Sequence, residues 1–381
     1  MDSPEAPHDL SEVLTNMNGA GEVGRGGHVI PAHYGDARAE YDAVRGGGAG
    51  LIDLSARGRV EVSGAEAVQF LNGLVTNDVK ALEDGAWMHA AFPNVQGRLL
   101  ASVRVIRHGD VFLFDTEAAT HATVLKNLER FTLAGDFRVR DAGAGTAMLS
   151  VQGAGSREVV GAIAGEEAAG LGRGRAAEWQ WGGARALVLR ATHTAEDGFD
   201  FVCDAGVAVE LWESLAGAGA RPVGFDALEV LRVEAGVPRY GVDVDDTNVV
   251  LEAAADEAVS FTKGCYVGQE IIARIHWRGH VAKRLTGLVL EDGDAPAPSG
   301  AKVFSGDGAR EVGRVTSSVH SPRLGRAVAL GVVKYDFLAA GTAVRVRDGD
   351  GDEGNGRAAR VAGLPLVRGS WYDPAAGAED A

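Results

Sequence analysis

The octet Lys-Gly-Cys-Tyr-Val-Gly-Gln-Glu at residues 263–270 combines residue types that can do chemistry on a thiol. Cys265 is one of only two cysteines, and Lys263 stands two residues before it. A nearby cation favours the thiolate, which is the nucleophilic form of cysteine. Gly264 and Gly268 allow backbone conformations that other residues avoid. The octet therefore predicts a reactive thiol on a shaped loop, although a free cysteine is also commonly a small buried hydrophobe.

A basic segment follows the octet. Between Ile271 and Leu290 there is no acidic residue, whereas the formal charge of the whole chain is −16. The segment carries Arg274, Arg278, Lys283, Arg284, His276 and His280. Such a segment predicts an anion site or a field that stabilises a thiolate. The alternative is a solvated basic face without a ligand.

Length and composition limit the class of protein. A chain of 381 residues with 46% hydrophobic and 24% charged residues is typical of a globular protein of two or three domains. Its acidic balance argues against binding of nucleic acid by the whole surface. No apolar run is long enough for a membrane span, and the first residues lack the pattern of a secretory signal. We therefore expect a cytoplasmic protein with no membrane partner.

The cysteine count excludes two kinds of structural site. Cys203 and Cys265 cannot form a disulfide framework, and no Cys/His spacing typical of zinc is present. The acidic cluster Asp243, Asp245 and Asp246 lacks the spacing of a calcium loop and is more typical of a solvated turn. The sequence therefore predicts no metal site.

The pattern of the remaining chain predicts mixed α and β structure. Ser63 and Glu66 have the spacing of a capping box before an apolar stripe, which predicts a helix. Alternating residues on both sides of Gly109 predict a hairpin, and paired strands are expected at 185–190 and 199–204. Gly236 is placed to end a helix that begins near Phe225.

Short strands separated by turn clusters recur beyond Leu285 and predict a small β-barrel. We expect a flexible tail at 1–28, a main domain at 29–284, a barrel at 285–370 and a disordered tail at 371–381.

The octet resembles the signature of the YgfZ-like folate-binding proteins, which are relatives of the glycine-cleavage T-protein (aminomethyltransferase) and are associated with iron–sulfur cluster assembly or repair. Further segments resemble the same superfamily: 51–55, 70–79, 196–200, 231–236, 313–317 and 321–325. The resemblance implies an α+β, T-protein-like folate-binding fold, with two subdomains around a central cavity in residues 29–284 and a C-terminal β-barrel. The implied cofactor is tetrahydrofolate or a substituted folate, and the basic segment would hold its glutamyl tail or an acidic partner.

Departures from the T-protein pattern bear on the chemistry. The T-protein has a carboxylate after an Asn-x-x-Gly turn that assists aminomethyl transfer. Here the turn begins at Asn94, and the corresponding positions are Ala101 and Ser102, neither of which can transfer a proton near neutral pH. The carboxylate that pairs with the pterin corresponds to Asp200, and the tyrosine seven residues earlier corresponds to His193. An arginine of the family corresponds to Leu228. Without the resemblance, the favoured interpretation of Asp200 is a surface or turn carboxylate.

Three hypotheses for the function follow. The first is a tetrahydrofolate-binding accessory factor for iron–sulfur cluster assembly or repair, in which Cys265 and Lys263 act and cluster-assembly proteins or their clients are the partners. The second is a folate-dependent aminomethyltransferase, and the third is an adaptor without a ligand. Whether the protein is an enzyme stays open. The candidate cofactor-binding residues implied by the resemblance are Asp200, His193, Asn94, Arg232, Tyr266, Gln269, Glu270 and Arg274.

Overall fold

The computed structural model describes Leu10, Leu14 and residues 22–25, 28–133, 135–348 and 356–373. Two large sheets and a two-stranded sheet formed by residues 22–25 and 28–31 build the N-terminal domain, and a closed barrel follows them. The strands of the first part of the chain are β1 (Glu22–Arg25), β2 (His28–Pro31), β3 (Gly50–Asp53), β4 (Gly58–Ser63), β5 (Ala86–Pro93), β6 (Leu99–His108), β7 (Val111–Thr116) and β8 (Arg138–Asp141). Those of the second part are β9 (Thr146–Gln152), β10 (Ala176–Trp181), β11 (Ala184–Arg190), β12 (Gly198–Asp204) and β13 (Arg221–Pro222).

The helices of the described residues cover the outer faces of these sheets and link them to the barrel. They are α1 (Ala37–Arg45), α2 (Ala67–Leu74), α3 (His121–Glu129), α4 (Ser156–Ala164), α5 (Glu166–Ala169), α6 (Ala208–Gly217), α7 (Phe225–Ala235) and α8 (Gln269–Arg278). None of them is both long and apolar enough to cross a membrane. Helix α7 ends at Gly236, whose φ of 74° is the left-handed conformation that glycine adopts without a steric cost.

The first sheet has the order β5-β6-β7-β4-β8, and the second has the order β10-β11-β12-β9-β3-β13. Strand β6 shows why the two sheets face each other. Ala101, Val103 and Val105 point into the core of the first sheet, and Ile106 packs with Leu189 of the second sheet. Side chains alternate between the two faces of a strand. Both faces of β6 are therefore covered, and the face that carries Ser102 and Arg104 is the one that meets the second sheet.

The closed barrel contains six strands, in the order β14-β17-β16-β15-β18-β19. Their ranges are β14 (Lys283–Leu290), β15 (Lys302–Ser305), β16 (Glu311–Ser321), β17 (Arg326–Lys334), β18 (Ala343–Arg347) and β19 (Arg357–Ala362). Closure removes the unpaired strand edges that an open sheet would present. The predicted barrel and the α+β fold class are thus confirmed.

The chain leaves the barrel and returns to the N-terminal domain as residues 363–373, which we call the C-terminal strap. Ser370 donates through its N–H and Oγ to Glu196, both at 2.7 Å. The guanidinium groups of Arg173 and Arg190 lie over the ring of Trp371 at 5.1 and 5.7 Å. These contacts, which include a charge-assisted bond to a buried carboxylate, hold the strap on the second sheet.

Several predicted elements are observed. Strands β6 and β7 form the hairpin around Gly109, and β11 pairs with β12 in an antiparallel arrangement. The predicted capping box is wrong, because the N-cap of α2 is Glu66 and its carboxylate accepts instead from the N–H of Asp136 at 2.8 Å. Helices α1 and α8 were not predicted.

Residues 1–28 were expected to form a flexible tail, but their described part contains buried side chains and a paired strand. Leu10 and Leu14 are buried in the core of the second sheet, and Glu22–Arg25 pairs with β2. Burial of apolar side chains stabilises the folded state, which explains why these two leucines pack in the core. Residues 1–9, 11–13, 15–21, 26–27 and 374–381 lie outside the described part of the chain. The strap contains residues 371–373 of the segment expected to be disordered.

Candidate functional site

A buried cluster of charges joins the two sheets. Arg104 of β6 donates through Nε to Asp115 of β7 at 2.7 Å and through Nη1 to Asp200 of β12 at 2.6 Å. Arg57 donates to the other side of Asp115 at 2.6 Å. The carboxylates of Asp115 and Asp200 are almost completely buried. Such groups are stable inside a protein only when they are paired and hydrogen-bonded, and here Arg104 serves both.

His193 completes the cluster from the segment between β11 and β12. Its Nε2 lies 3.1 Å from Oδ1 and 3.0 Å from Oδ2 of Asp200. Arg104 and His193 therefore occupy the carboxylate of Asp200 from two directions. The structure brings together two of the residues that the sequence singled out, His193 and Asp200, and adds Arg104, which it did not.

The surroundings set the protonation of both carboxylates. Burial alone would raise the pKa of Asp200, but the neighbouring His193 and Arg104 outweigh it and lower the pKa. Burial also opposes the charge of Asp115, yet Arg57 and Arg104 hold the pKa of Asp115 at about 2. Both groups are therefore ionised at neutral pH, and the guanidinium groups of Arg57 and Arg104 balance their two negative charges.

A cavity of about 270 Å³ opens beside the cluster. Its wall is largely apolar, with Ile52, Leu54 and Leu228 among the lining residues. His193 and Arg57 bring the cluster to the same wall. An apolar cavity with a few placed polar groups is typical of a site for a small organic ligand. These residues suit a folate, because its rings need apolar walls and its polar edges need hydrogen-bond partners.

The positions that correspond to the T-protein carboxylate lie on opposite faces of β6. Ala101 is fully buried in the core of the first sheet. Ser102 is half-buried and shares the face of Arg104, towards the second sheet. Of the two positions, only Ser102 can therefore face the space between the sheets, and its hydroxyl is no proton-transfer group at neutral pH.

The octet lies on the first sheet and on the segment that follows α2. The ammonium group of Lys263 donates to the carbonyls of Val75 and Asn77, at 2.8 and 2.6 Å. It also lies 5.0 Å from the centre of the Tyr266 ring. Burial lowers the pKa of Lys263 to about 8. Lys263 thus fastens the loop through two main-chain carbonyls, which differs from the expected action on the thiol.

Gly268 explains part of the octet by packing. Its φ is 76°, and a Cβ at this position would overlap the carbonyl oxygen of Asn94 and lie 3.1 Å from the N of Gly97. Helix α8 starts directly after it, and Ile271 and Ile272 pack on Gly97. The Asn94 side chain accepts from the N–H groups of Gln96 and Arg98 and shapes this turn. The octet, with the start of α8, therefore packs directly against the Asn94 turn.

The remaining predicted site residues lie on the surface or at the interface between α7 and the barrel. Cys265 is a free, exposed thiol, and Glu270 and Arg274 are also exposed. Gln269 reaches only the carbonyl of Gly264, at 3.5 Å. Arg232 borders the cavity, but its guanidinium is bound to Asp243, Glu229 and Ser317, which joins α7 to the barrel. No hydrogen bond or ion pair within the described ranges connects Cys265 with the Asp200 cluster.

Comparison with known proteins identifies the family. The family model described as the GCVT N-terminal domain matches residues 12–263, and the glycine cleavage T-protein C-terminal barrel domain matches residues 283–367. The chain belongs to the glycine cleavage T-protein family. A relative in Rubrobacter xylanophilus, named aminomethyltransferase, is 34% identical over 361 residues and covers 94% of each chain. One in Geobacillus kaustophilus with the same name is 33% identical and covers 86% of this chain and 90% of its own.

A solved structure agrees with this assignment. The crystal structure of the glycine cleavage system aminomethyltransferase T from Bartonella henselae superposes with a TM-score of 0.82 at 25% identity, and covers 95% of this chain and 99% of its own. Aminomethyltransferases of this family use tetrahydrofolate, which is the cofactor predicted from the sequence. The superfamily assignment is therefore confirmed, whereas these relatives carry the name aminomethyltransferase and not that of the YgfZ-like subfamily.

Three residues of the site, Arg57, Arg104 and Asp115, were missed by reasoning from the sequence. Arg104 and Asp115 are charged residues within otherwise largely apolar, buried strands. A charge in such a position is rarely buried without a partner. The interruption of the apolar pattern in two adjacent strands of one hairpin was the available signal.

Proposed function

We propose that this protein binds tetrahydrofolate in the cavity beside His193 and Asp200 and takes part in the transfer of a one-carbon unit, as an aminomethyltransferase does. The observation that carries the proposal is the charge cluster at the cavity wall, where Arg104 holds Asp200 and Asp200 holds His193. Similarity over 94% of the chain to a relative named aminomethyltransferase supports it. Bound tetrahydrofolate would supply the amines that take up the one-carbon unit.

The residues around the cavity would divide the work. The apolar side chains Ile52, Leu54 and Leu228 would exclude water from the ring system. Arg104 and Asp200 would keep the polar end of the cavity rigid, since neither can move without exposing a buried charge. The family arginine is replaced by Leu228, so an anionic end of the ligand would need another cation, and Arg239 borders the same cavity.

The test has two stages. Purified protein is first titrated with tetrahydrofolate under reducing conditions and followed by calorimetry, and saturable binding is expected. Release of ammonia from an aminomethylated lipoyl carrier protein is then measured with and without tetrahydrofolate. Absence of binding at high micromolar folate would refute the whole proposal, whereas binding without folate-dependent release would refute only the transfer.

A second candidate is the iron–sulfur accessory role, in which Cys265 acts while folate is bound. It is favoured by the exposed thiol on a loop that Lys263 and Gly268 anchor, and by Ser102 in place of the T-protein carboxylate. One thiol without a second cysteine nearby would need a partner to complete a cluster or a disulfide. Cluster-assembly proteins or cluster-containing clients would be that partner.

Complementation distinguishes this second candidate. Cys265→Ser is expected to abolish rescue of cluster-enzyme activity in cells that lack the native factor, if the thiol acts. The matched control is Cys203→Ala, which removes the other thiol from the buried core. Full rescue by Cys265→Ser at normal protein abundance would exclude a role for the thiol.

A further inference from the structure

His193 lies between the cavity and the only carboxylate that the family pattern offers to a pterin. Asp200 has no exposed surface. Its two oxygens are contacted by Nε2 of His193, by Nη1 of Arg104 at 2.6 Å and by the Ser150 side chain. Three protein groups therefore donate to this carboxylate, and none of its surface is open to the cavity. A ligand in the cavity can reach it only if His193 moves away.

The other side of the imidazole is available. His193 lines the cavity and is 15% exposed at its side chain. Nε2 donates to Asp200, so that the proton of a neutral ring resides on Nε2 and Nδ1 is an acceptor. Nδ1 has no hydrogen-bond partner among the described residues and is not one of their enclosed, unpaired polar atoms. It is therefore open to the cavity.

We infer that His193 is the residue that binds the polar edge of the ligand, and that Asp200 acts on the ligand only by positioning His193. The inference rests on the proposed folate binding and specifies how the cavity recognises its ligand. An imidazole nitrogen satisfies one polar atom, whereas a carboxylate accepts from two donors at once. The cavity of this chain therefore selects a ring system through a single hydrogen bond at this point.

Support for the positioning comes from the order of contacts. Arg57 and Arg104 hold Asp115, Arg104 holds Asp200, and Asp200 holds His193. The N–H of His193 donates to the Oε1 of Gln152 at 3.0 Å, which fixes the main chain at the same residue. Each group in the series limits the freedom of the next, so that the imidazole is oriented before a ligand arrives.

The ligand could contact either Asp200 or His193, and these two possibilities predict opposite changes in folate affinity for the variant His193→Ala. If Asp200 binds the ligand directly, His193→Ala uncovers its carboxylate and tightens the binding of tetrahydrofolate. If His193 binds the ligand, the same variant weakens binding about five- to tenfold, the effect of one lost hydrogen bond. We expect the weakening, together with partial recovery in His193→Gln, which restores an acceptor. Tighter or unchanged binding by His193→Ala would overturn the inference.

A double-mutant cycle tests the role assigned to Asp200. Asp200→Asn is expected to weaken binding in the wild-type background and to have no further effect in the His193→Ala background. Histidine-selective ¹⁵N NMR of the ligand-free protein provides a readout other than binding, since Asp200→Asn should change the proton distribution between Nε2 and Nδ1 of His193. An equal loss in both backgrounds, or an unchanged His193 spectrum, would contradict the positioning role. If wild-type protein binds no folate, the proposed function fails and this inference with it.

Discussion

Gly268 of the octet lies directly against the carbonyl oxygen of Asn94, with no room for a Cβ between them. This contact joins the two segments that most resemble family motifs, although 173 residues separate the two positions along the chain (268 minus 94, less one). It also gives the glycine a structural reason, since its φ of 76° and the close approach both exclude other residues.

Gly268→Ala should therefore lower the free energy of unfolding by about 2–4 kcal/mol, the sum of a left-handed conformation and an overlap with main chain. Gly264→Ala is the matched control, because a Cβ there meets nothing within 4 Å and its φ is not in the left-handed region. Denaturant titration of both variants measures the difference. Equal stabilities would show that the Asn94 contact does not constrain the loop.

Aspartate introduced at the two adjacent positions of β6 should have unequal effects. Ala101→Asp places a carboxylate in the fully buried core of the first sheet and should cost about 3 kcal/mol or more. Ser102→Asp lies on the face of Arg104 and should cost about 1 kcal/mol or less. Thermal unfolding compares the two. If the transfer proposed here takes place, Ser102→Asp should also raise its rate, which an assay of ammonia release would show.

Lys263 should give stability a dependence on alkaline pH. Burial lowers its pKa from 10.5 to about 8, so the unfolded chain binds more protons than the folded chain between these values. The free energy of unfolding therefore rises with pH across this window, by up to about 3 kcal/mol. Lys263→Met should lose this rise. The difference between the two proteins, measured in urea at pH 7.5, 9 and 10 (about the window that the two pKa values define), cancels the contributions of other groups. A constant difference would contradict the buried ammonium group.

Arg104 should be among the residues whose loss costs most. Arg104→Leu leaves Asp115 and Asp200 with one cationic partner fewer, and removal of one partner from a buried pair typically costs about 3–5 kcal/mol. Arg185→Leu is the control, because its ion pair with Glu178 is exposed and its loss should have little effect on the free energy of unfolding. Urea unfolding at neutral pH compares them, and similar losses in the two variants would refute the buried cluster.

The same cluster sets the acid limit of stability. The pKa of Asp115 is lowered to about 2, so its contribution is complete above the unfolded value of about 4 and is lost as the pH falls from 4 towards 2. Asp200 has the same sign. The free energy of unfolding of the wild type should therefore fall steeply as the pH is lowered over this range, and that of Arg104→Leu should fall less.

The two thiols should differ in reactivity with a chromogenic disulfide reagent. Cys265 is exposed, whereas burial, together with the nearby Asp204, raises the pKa of Cys203 to about 12. Native protein should release chromophore for one thiol per chain, and unfolded protein for two. Cys265→Ser should release none until it unfolds. Rapid reaction of two thiols in the native wild type would contradict the burial of Cys203.

The sequence was most informative where the signal is local. The hairpin at Gly109 and the end of α7 at Gly236 depend on single glycines, and both were predicted. The octet located Cys265 but suggested the wrong partner for Lys263. Its carbonyl partners, on Val75 and Asn77, are main-chain atoms that any residue type would supply. A contact of this kind therefore cannot be predicted from the residue types in the sequence.

At the cavity wall, too, the contacts between residues far apart in the sequence could not be predicted. His193 and Asp200 are seven residues apart, on the two sides of the predicted turn between paired strands, and the resemblance implied a role for each, but their mutual hydrogen bond was not predicted. Arg104 lies 96 residues from Asp200, and its contact depends on how two sheets face each other. Residue types and spacing restrict which sheets form, but the relative placement of the sheets follows from packing across both faces of β6.

The C-terminal strap makes the order of synthesis matter. Glu196 is buried, and its partners are Arg45 on one side and Ser370 on the other. While the chain is being made, this carboxylate has its first partner early but must wait for 174 further residues before it meets the second. The second sheet can therefore acquire its contacts with the strap, among them the hydrogen bond between Ser370 and Glu196, only after the barrel has been synthesised.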